Sequence, residues 1–162
     1  MNKRPVETEN FKGKKVTVMG LGLFGGGVGA VKYLASHGAD VTVTDLKSAE
    51  ELSASLKLLD NLPVKFRLGK HSEEDFVNAD VLVVSPAVPD DSRFLQIACD
   101  NNVSIDSELN IFFRLCPAPI IGITGSNGKS TTTSLLGEML KEAGIKTWVG
   151  GNIGVSLLEN LE

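Results

Sequence analysis

Short apolar runs that alternate with helical stripes constrain the fold of this chain more than any other feature. β-branched and apolar residues predict strands at Val16–Met19, Val41–Thr44, Val64–Leu68 and Val103–Ile105, with a further strand in the segment "DVLVVSPAVP". Between these runs, apolar residues recur at the three- and four-residue spacing of a helix. Repeated strand–helix units of this length predict an α/β fold built on a parallel, doubly wound sheet.

Two prolines in "CPAP", Cys116–Pro119, mark the predicted domain boundary, because proline interrupts both helices and strand pairing. Residues 1–116 would form the first domain. Residues 117–162 would supply a strand at Ile120–Ile123, a helix and a second strand at Lys146–Val149. Two strands and one helix cannot enclose a useful core. We therefore expect either a truncated second domain or a tail that packs against the first domain.

Composition excludes several classes of protein. The 162 residues are 42% apolar and 22% charged with a net charge of −4, and no apolar run is long enough to span a membrane. The polar start of the chain does not resemble a secretory signal, so we expect a cytoplasmic protein. We also expect a monomer. No basic stripe extends beyond Lys12, Lys14 and Lys15, which argues against nucleic acid as a partner. Cys99 and Cys116 fit no metal pattern and are predicted to be reduced, packed thiols.

A first glycine-rich loop follows the first predicted strand and opens a helix. Gly20, Gly22 and Gly25 form a GxGxxG pattern, and Asp45 ends the next strand. Glycines at this spacing allow a tight turn and the close approach of a diphosphate, while the acid can accept hydrogen bonds from a ligand. The residues do not fix the nucleotide, for which NAD is the default. In the alternative interpretation, the glycines only permit close packing and Asp45 caps the next segment.

A second glycine-rich loop lies in "IIGITGSNGKSTTTSLLGEML". It departs from the strict GxxxxGK[ST] pattern, which would place glycine where Ile123 stands, but it keeps Gly128, Lys129 and Ser130 in order. Backbone amides from Gly125 to Lys129 could surround phosphates, the lysine could reach the β and γ oxygens, and the serine hydroxyl could bind Mg²⁺. The loop thus predicts an ATP site. A solvated glycine-rich cap is the alternative.

The motifs in combination resemble the Mur ligases. The segments "GLGLFG", "VTD", "VVSPAVP", "DSELNIFFR", "GITGSNGKSTTTSLLGEMLKEAG" and "VGGNIG" occur in the order found in that family and cover essentially the whole chain. The resemblance is strongest to the members that add D-glutamate to UDP-N-acetylmuramoyl-L-alanine during peptidoglycan precursor synthesis. It implies a Rossmann-like domain that holds UDP rather than NAD, followed by the beginning of a P-loop ATPase domain.

The resemblance also implies an acid–amino acid ligase. ATP with Mg²⁺ would phosphorylate the substrate carboxylate, and the amine of D-glutamate would attack the resulting acyl phosphate. By similarity, ATP would be held by Gly125, Ser126, Asn127, Gly128, Lys129, Ser130 and Thr131, with Lys129 catalytic and Ser130 on the metal. The UDP substrate would be held by Leu23, Phe24, Gly25, Asp45, Leu46, Ser85, Pro86, Ala87, Val88, Gly151 and Asn152.

Two substitutions and a shortened motif set limit this resemblance. Ala87 replaces a usual glycine and Phe24 replaces a usual small hydroxyl residue. The family's later acidic metal ligand, histidine and modified lysine have no counterparts before Glu162, and neither His37 nor His71 lies in a motif. We therefore expect the chain alone to be an inactive fragment whose D-glutamate site lies elsewhere. The alternatives are an NAD(P)-binding oxidoreductase domain, which leaves the GKST residues unexplained, and a P-loop nucleotide-binding module, which leaves the first loop idle.

Overall fold

A five-stranded parallel sheet forms the centre of the computed structural model, which describes residues 10–22, 26–151 and 156–161. The strands are β1 (Lys15–Met19), β2 (Asp40–Asp45), β3 (Val64–Leu68), β4 (Val81–Val84) and β5 (Ser104–Asp106). The helices are α1 (Gly26–Ser36), α2 (Ser53–Lys57), α3 (Glu74–Val77), α4 (Arg93–Asp100), α5 (Glu108–Leu115), α6 (Lys129–Glu142) and a 3₁₀ turn at Leu158–Asn160.

The strand order is β3-β2-β1-β4-β5, and every pair is parallel. The chain runs outward from β1 to β3, then returns to the other side of β1 for β4 and β5. The order therefore reverses between β1 and β4, which pair from Val16 with Val81 to Met19 with Val84. The predicted α/β class and doubly wound parallel sheet are confirmed, because each crossover uses a helix that packs on the sheet.

Alternate strand residues separate two apolar layers. Val16, Val18, Val41 and Val43 point to one face with the equivalent residues of β4, and they pack under α1, α2 and α5. The opposite face holds a smaller cluster that includes Leu82 with residues of α3 and α4. Burial of these side chains is the main term that stabilises the sheet, at roughly 25 cal/mol per Å² of apolar surface.

The sheet face that carries the smaller apolar cluster becomes polar on the side of β3. A groove of about 250 Å³ lies there, lined by residues that include Lys15, Asp40, Lys65, Arg67 and Asp75. Two ion pairs lie in it, because Lys65 Nζ is 2.9 Å from Asp40 Oδ2 and Arg67 Nε is 2.5 Å from Asp75 Oδ2. The groove opens near the amino ends of β1 and β2, away from the glycine-rich loops.

Residues 117–151 form a helix but do not extend the sheet. The strands predicted at Ile120–Ile123 and Lys146–Val149 are wrong, since both segments are irregular. An isolated segment gains no ladder hydrogen bonds, and these two have no strand beside them in the described part of the chain. Trp148, predicted to pack on a strand, is instead 49% exposed under Lys146 Nζ. Helix α6 buries only Gly137, against Val149.

The segment 156–161 returns to the first part of the chain. Leu158 is 1% exposed within the apolar layer that includes α1 and α5, and Lys32 Nζ lies 3.2 Å from Glu159 Oε1. This short segment therefore packs against α1 and α5, whereas α6 buries only one of its residues. Of the two cysteines, Cys116 is buried as predicted, whereas Cys99 is exposed, and both are free thiols.

Replacement of Leu158 by alanine tests this packing. We expect Leu158→Ala to lower the free energy of unfolding by about 2–5 kcal/mol, because it removes a fully buried side chain. Chemical denaturation followed by circular dichroism measures the change. The matched control is Leu135→Ala on α6, which is 61% exposed and should alter stability by less than about 0.5 kcal/mol. Equal effects of the two substitutions would contradict the packing of residues 156–161.

Candidate nucleotide-binding site

The carboxyl ends of β1 and β4 meet at the point where the strand order reverses, which is where open α/β sheets bind ligands. Gly20 follows β1 with φ +88°, and Ser85 follows β4. A β-carbon added at Gly20 would lie 2.8 Å from Ser85 Cβ. Only glycine allows both this conformation and this approach. The structure thus brings the first glycine-rich loop and the "SPAV" loop into direct contact.

Asp45 is used within the protein rather than left free at the edge. Its Oδ2 accepts hydrogen bonds from the amides of Leu21 at 2.9 Å and Gly22 at 3.4 Å, and Oδ1 accepts from Lys47 N at 2.9 Å. The carboxylate therefore fixes the loop after β1 to the end of β2. The bond from Lys47 N matches the alternative interpretation of the sequence, in which Asp45 caps the segment that follows it. The neighbouring Leu46 is 67% exposed and offers an apolar surface beside it.

The loop after β4 is a compact turn. Ser85 N donates to Met19 O at 2.9 Å, and Val88 N donates to Ser85 O at 3.0 Å. Ala87 N donates to Ser85 Oγ at 3.4 Å, while Pro86 and Ala87 are exposed. The turn thus presents its tip to solvent with its base fixed on β1.

His71 is a residue of this edge that sequence reasoning missed. It follows β3, is partly buried rather than exposed, and its Nδ1 lies 2.7 Å from the hydroxyl of buried Thr44. Its ring packs edge-on against Phe76 and Phe94. Burial lowers the pKa of the imidazole, opposed by the charges of Asp45 and Asp75. The "GKH" segment carried no recognisable motif, so only tertiary packing identifies the residue.

Part of the predicted site lies outside the described residues. These residues of the predicted site are Leu23, Phe24, Gly25 and Asn152. Gly151 is described, with φ +111° and an exposed position.

The second loop keeps the geometry of a helix-opening turn although the strand before it is absent. Gly128 occupies the position before α6 with φ +76°, and Lys129 begins the helix. The Lys129 ammonium donates to the carbonyl oxygens of Gly125 at 2.5 Å and Ser126 at 3.5 Å. Residues 125–132 are all exposed. The lysine therefore folds over its own loop.

This loop offers few ligands for a metal ion. The Ser130 hydroxyl is an oxygen donor of the kind Mg²⁺ accepts. The described residues contain no group of three or more His, Cys, Asp or Glu side chains placed to hold a metal. The loop therefore fits phosphates and one coordination position of Mg²⁺, not a complete metal cage.

Glu108 forms a second cluster near the first glycine-rich loop. Its Oε1 accepts a hydrogen bond from the Ser156 hydroxyl, and its Oε2 lies against Gly26 at the start of α1. Burial raises the pKa of the Glu108 carboxyl, the Ser156 hydrogen bond opposes the rise, and the charge of Glu159 adds to it.

The fold defines an α/β protein with a doubly wound parallel sheet, in which two glycine-rich segments of the sequence precede α1 and α6. The family model "Mur ligase MurD-like, N-terminal domain" matches residues 14–107. The chain therefore belongs to the MurD-like Mur ligase family. No helix in the described ranges is both long and apolar enough to cross a membrane.

Several relatives agree with this assignment. The UDP-N-acetylmuramoylalanine–D-glutamate ligase of Roseiflexus sp. strain RS-1 is 53% identical over 149 residues, which cover 92% of this chain and 32% of that relative. The ligase of the same name from Geobacter metallireducens is 44% identical over 152 residues, covering 94% and 33%. The chain thus spans about a third of the length of these relatives.

A solved structure supports the fold alone. The UDP-N-acetylmuramate:L-alanyl-gamma-D-glutamyl-meso-diaminopimelate ligase from Neisseria meningitides superposes with a TM-score of 0.56 at 23% sequence identity. The match covers 89% of this chain and 46% of that one.

A pair of glycine substitutions tests the contact between the β1 and β4 loops. Gly22 has φ +67° with no atom within 4 Å of an added β-carbon, so Gly22→Ala should cost only the backbone strain of about 1–2 kcal/mol. Gly20→Ala should cost about 1–3 kcal/mol more, because its β-carbon would also collide with Ser85. Denaturant titration measures both, and equal losses would contradict the close approach.

The pKa of His71 predicts a pH dependence of stability. Since burial lowers this pKa below its unfolded value of about 6.5, the unfolded state takes up the proton first as pH falls. The contribution of His71 is therefore complete above pH 6.5 and is lost below it. Glu108 acts in the opposite direction, because its raised pKa lets the folded state bind a proton first.

The comparison of wild type with His71→Gln isolates the histidine. We expect the variant to lose less stability than wild type as pH is lowered from 7 to 5, measured by thermal unfolding. His37→Gln removes the other histidine, which is exposed at the end of α1. A pH profile changed by His37→Gln and unchanged by His71→Gln would show the assignment to be wrong.

Proposed function

We propose that this chain is the UDP-binding and ATP-binding part of a cytoplasmic ligase that adds D-glutamate to UDP-N-acetylmuramoyl-L-alanine. One observation carries the proposal. The relative from Roseiflexus aligns over 149 of the 162 residues, an extent that necessarily includes both glycine-rich loops. A dinucleotide-binding domain would need only the first loop, and a simple P-loop module only the second.

The carboxyl edge of β1, β2 and β4 is the proposed UDP site. The loop containing Leu23, Phe24 and Gly25 would approach the diphosphate, with Leu46 and the turn from Ser85 to Val88 on either side. The Asp45 carboxylate already holds the amides of Leu21 and Gly22. We therefore propose that Asp45, on the uracil side of the site, positions the loop after β1. It could also accept a hydrogen bond from the nucleotide.

The loop from Gly125 to Thr131 is the proposed ATP site. ATP supplies the phosphoryl group that activates the substrate carboxylate. Backbone amides before α6 and the positive end of the helix would neutralise phosphate charge, with Lys129 moving from the Gly125 carbonyl to a phosphate oxygen. Ser130 would provide one oxygen ligand to Mg²⁺. Such fixed donors lower the barrier by stabilising charge that develops during phosphoryl transfer.

The remaining parts of the reaction fall outside these two loops. Gly151 and Asn152 would contact the muramoyl-alanine part of the substrate. D-Glutamate would bind to residues other than those of this chain, and the chain alone would not complete ligation.

We also propose the division into a UDP-binding domain at residues 1–116 and part of an ATP-binding domain at residues 117–162. The exposure of Leu135 and Met139, 61% each, is what an incompletely covered helix would show.

Ligand titrations with a lysine substitution test the two sites separately. We expect wild type to bind UDP and ATP but not NADH, and Lys129→Ala to retain UDP affinity while its ATP affinity falls about 10–100-fold. A hydrogen bond from a charged group is worth about 1.5–3 kcal/mol, which corresponds to that loss. Isothermal titration calorimetry measures the binding.

The control is Lys141→Ala, which removes a lysine of the same helix that pairs with Glu138 at its far end. It should leave both affinities unchanged. Binding of NADH without UDP would instead support an oxidoreductase domain. ATP binding that is insensitive to Lys129→Ala would contradict the role of the second loop.

A further inference from the structure

The segment after β3 holds the segment after β2 at two points. Gly69 N donates a hydrogen bond to Lys47 O at 2.9 Å, and His71 Nδ1 lies 2.7 Å from the Thr44 hydroxyl oxygen. Asp45 lies in the chain between these two contacts. The position of its carboxylate therefore depends on residues after β3 as well as on its own strand.

Aromatic packing fixes the direction of the His71 ring. The ring lies edge-on to Phe76 of α3 and Phe94 of α4, with centroid distances of 5.7 and 4.9 Å. The two phenylalanine rings stack on each other at 4.7 Å, and Phe76 is fully buried. Because packed aromatic neighbours leave a ring few alternative rotamers, Nδ1 stays beside Thr44.

Thr44 passes this constraint to the glycine-rich edge of the sheet. It is fully buried near the end of β2, and its carbonyl oxygen accepts a hydrogen bond from Gly20 N at 2.8 Å. A buried hydroxyl group without a partner is unfavourable. The contact with His71 therefore favours one rotamer of Thr44 and one path for the backbone that continues into Asp45.

The His71 imidazole is neutral at pH 7. Burial lowers its pKa below the usual value of 6.5, although the charges of Asp45 and Asp75 oppose that change. A threonine hydroxyl both donates and accepts hydrogen bonds, so it pairs with either neutral tautomer. His71 therefore holds Thr44 without adding a positive charge that would compete for the Asp45 carboxylate.

The Asp45 carboxylate keeps room for one further donor. It accepts hydrogen bonds from the amides of Leu21, Gly22 and Lys47, whereas a carboxylate offers about four acceptor positions. Uracil presents a donor, its N3–H group, at the place where cytosine presents an acceptor. A fixed acceptor at this edge thus favours uracil over cytosine, whereas a displaced one loses that preference.

We infer that His71 is a positioning residue that holds the end of β2 through Thr44, so that the Asp45 carboxylate selects a uracil base over a cytosine base. The inference rests on the proposed function, which puts the uracil side of UDP beside Asp45. It assigns His71 no contact with the nucleotide.

Two nucleotides that differ on one edge of the base measure this selection. UDP and CDP carry the same ribose and diphosphate, so the ratio of their affinities reports on the base alone. We expect isothermal titration calorimetry of the 162-residue chain to show UDP bound about tenfold more tightly than CDP, the worth of one hydrogen bond to a charged group. His71→Leu should lower this ratio to about twofold, because the carboxylate is no longer held in place.

Two further variants separate the hydrogen bond from the bulk of the side chain. His71→Asn places an amide near the position of Nδ1 and should keep most of the wild-type ratio. Thr44→Val keeps the shape of the threonine without its hydroxyl and should lower the ratio as His71→Leu does. The double variant should lose no more than either single one, since both substitutions remove the same bond. Thermal unfolding checks that each variant is folded.

His37→Leu is the matched control. His37 is exposed at the end of α1, where its Nδ1 lies 2.7 Å from Tyr33 O. Its replacement should leave the ratio of UDP to CDP affinity at the wild-type value.

The outcomes separate the inference from the proposed function. Wild type that binds no UDP would overturn the proposed function and, with it, the inference. Wild type that binds UDP and CDP equally, or Thr44→Val and His71→Leu variants that keep the wild-type ratio, would overturn the inference alone. A purely structural role of His71 predicts that both affinities fall together with their ratio unchanged. A loss in His71→Asn as large as that in His71→Leu would also exclude the hydrogen bond as the cause.

Discussion

The approach of the Gly20 backbone to Ser85 is the constraint on which the candidate site depends. It occurs between β1 and β4, where the direction of strand addition reverses. Because Gly20 has no side chain, the turns after the two strands touch, and the Asp45 carboxylate then fixes the same loop to β2 through backbone amides. Three strand ends are thereby joined into one rigid edge. A ligand at this edge would meet a prearranged surface, which lowers the entropic cost of binding.

The second loop has a different physical basis. Its local geometry, with Gly128 before α6 and Lys129 at the start of the helix, arises from nearby residues alone. The walls that normally enclose a triphosphate require tertiary partners, and the described residues supply few of them. Lys129 accordingly satisfies its ammonium group with carbonyl oxygens of its own loop. The chain thus combines a well-packed edge around Gly20, Asp45 and Ser85 with a glycine-rich loop before α6 that has ordered local contacts and exposed surroundings.

The polar and charged groups also differ between the two glycine-rich loops. Asp45, Glu108 and His71 are buried or half-buried groups with specific polar partners, and each connects elements that lie far apart in sequence. The residues around the second loop are exposed and make mainly local contacts. Long-range polar contacts of this kind specify relative positions more than they add stability, because desolvation offsets much of the gain in energy. Glu108 is an example, because its carboxyl group joins the beginning of α1 to Ser156.

The sequence by itself determined the parallel α/β architecture, the five strands and the places of both glycine-rich loops. These features depend on side-chain periodicity and on glycine conformation, which are local properties of the chain. Only the tertiary structure decided that Ile120–Ile123 and Lys146–Val149 remain irregular, because a strand forms only when another strand lies beside it to complete its hydrogen bonds. Tertiary packing likewise decided the roles of His71 and Glu108, whose partners Thr44 and Ser156 are distant in sequence and have no local signal.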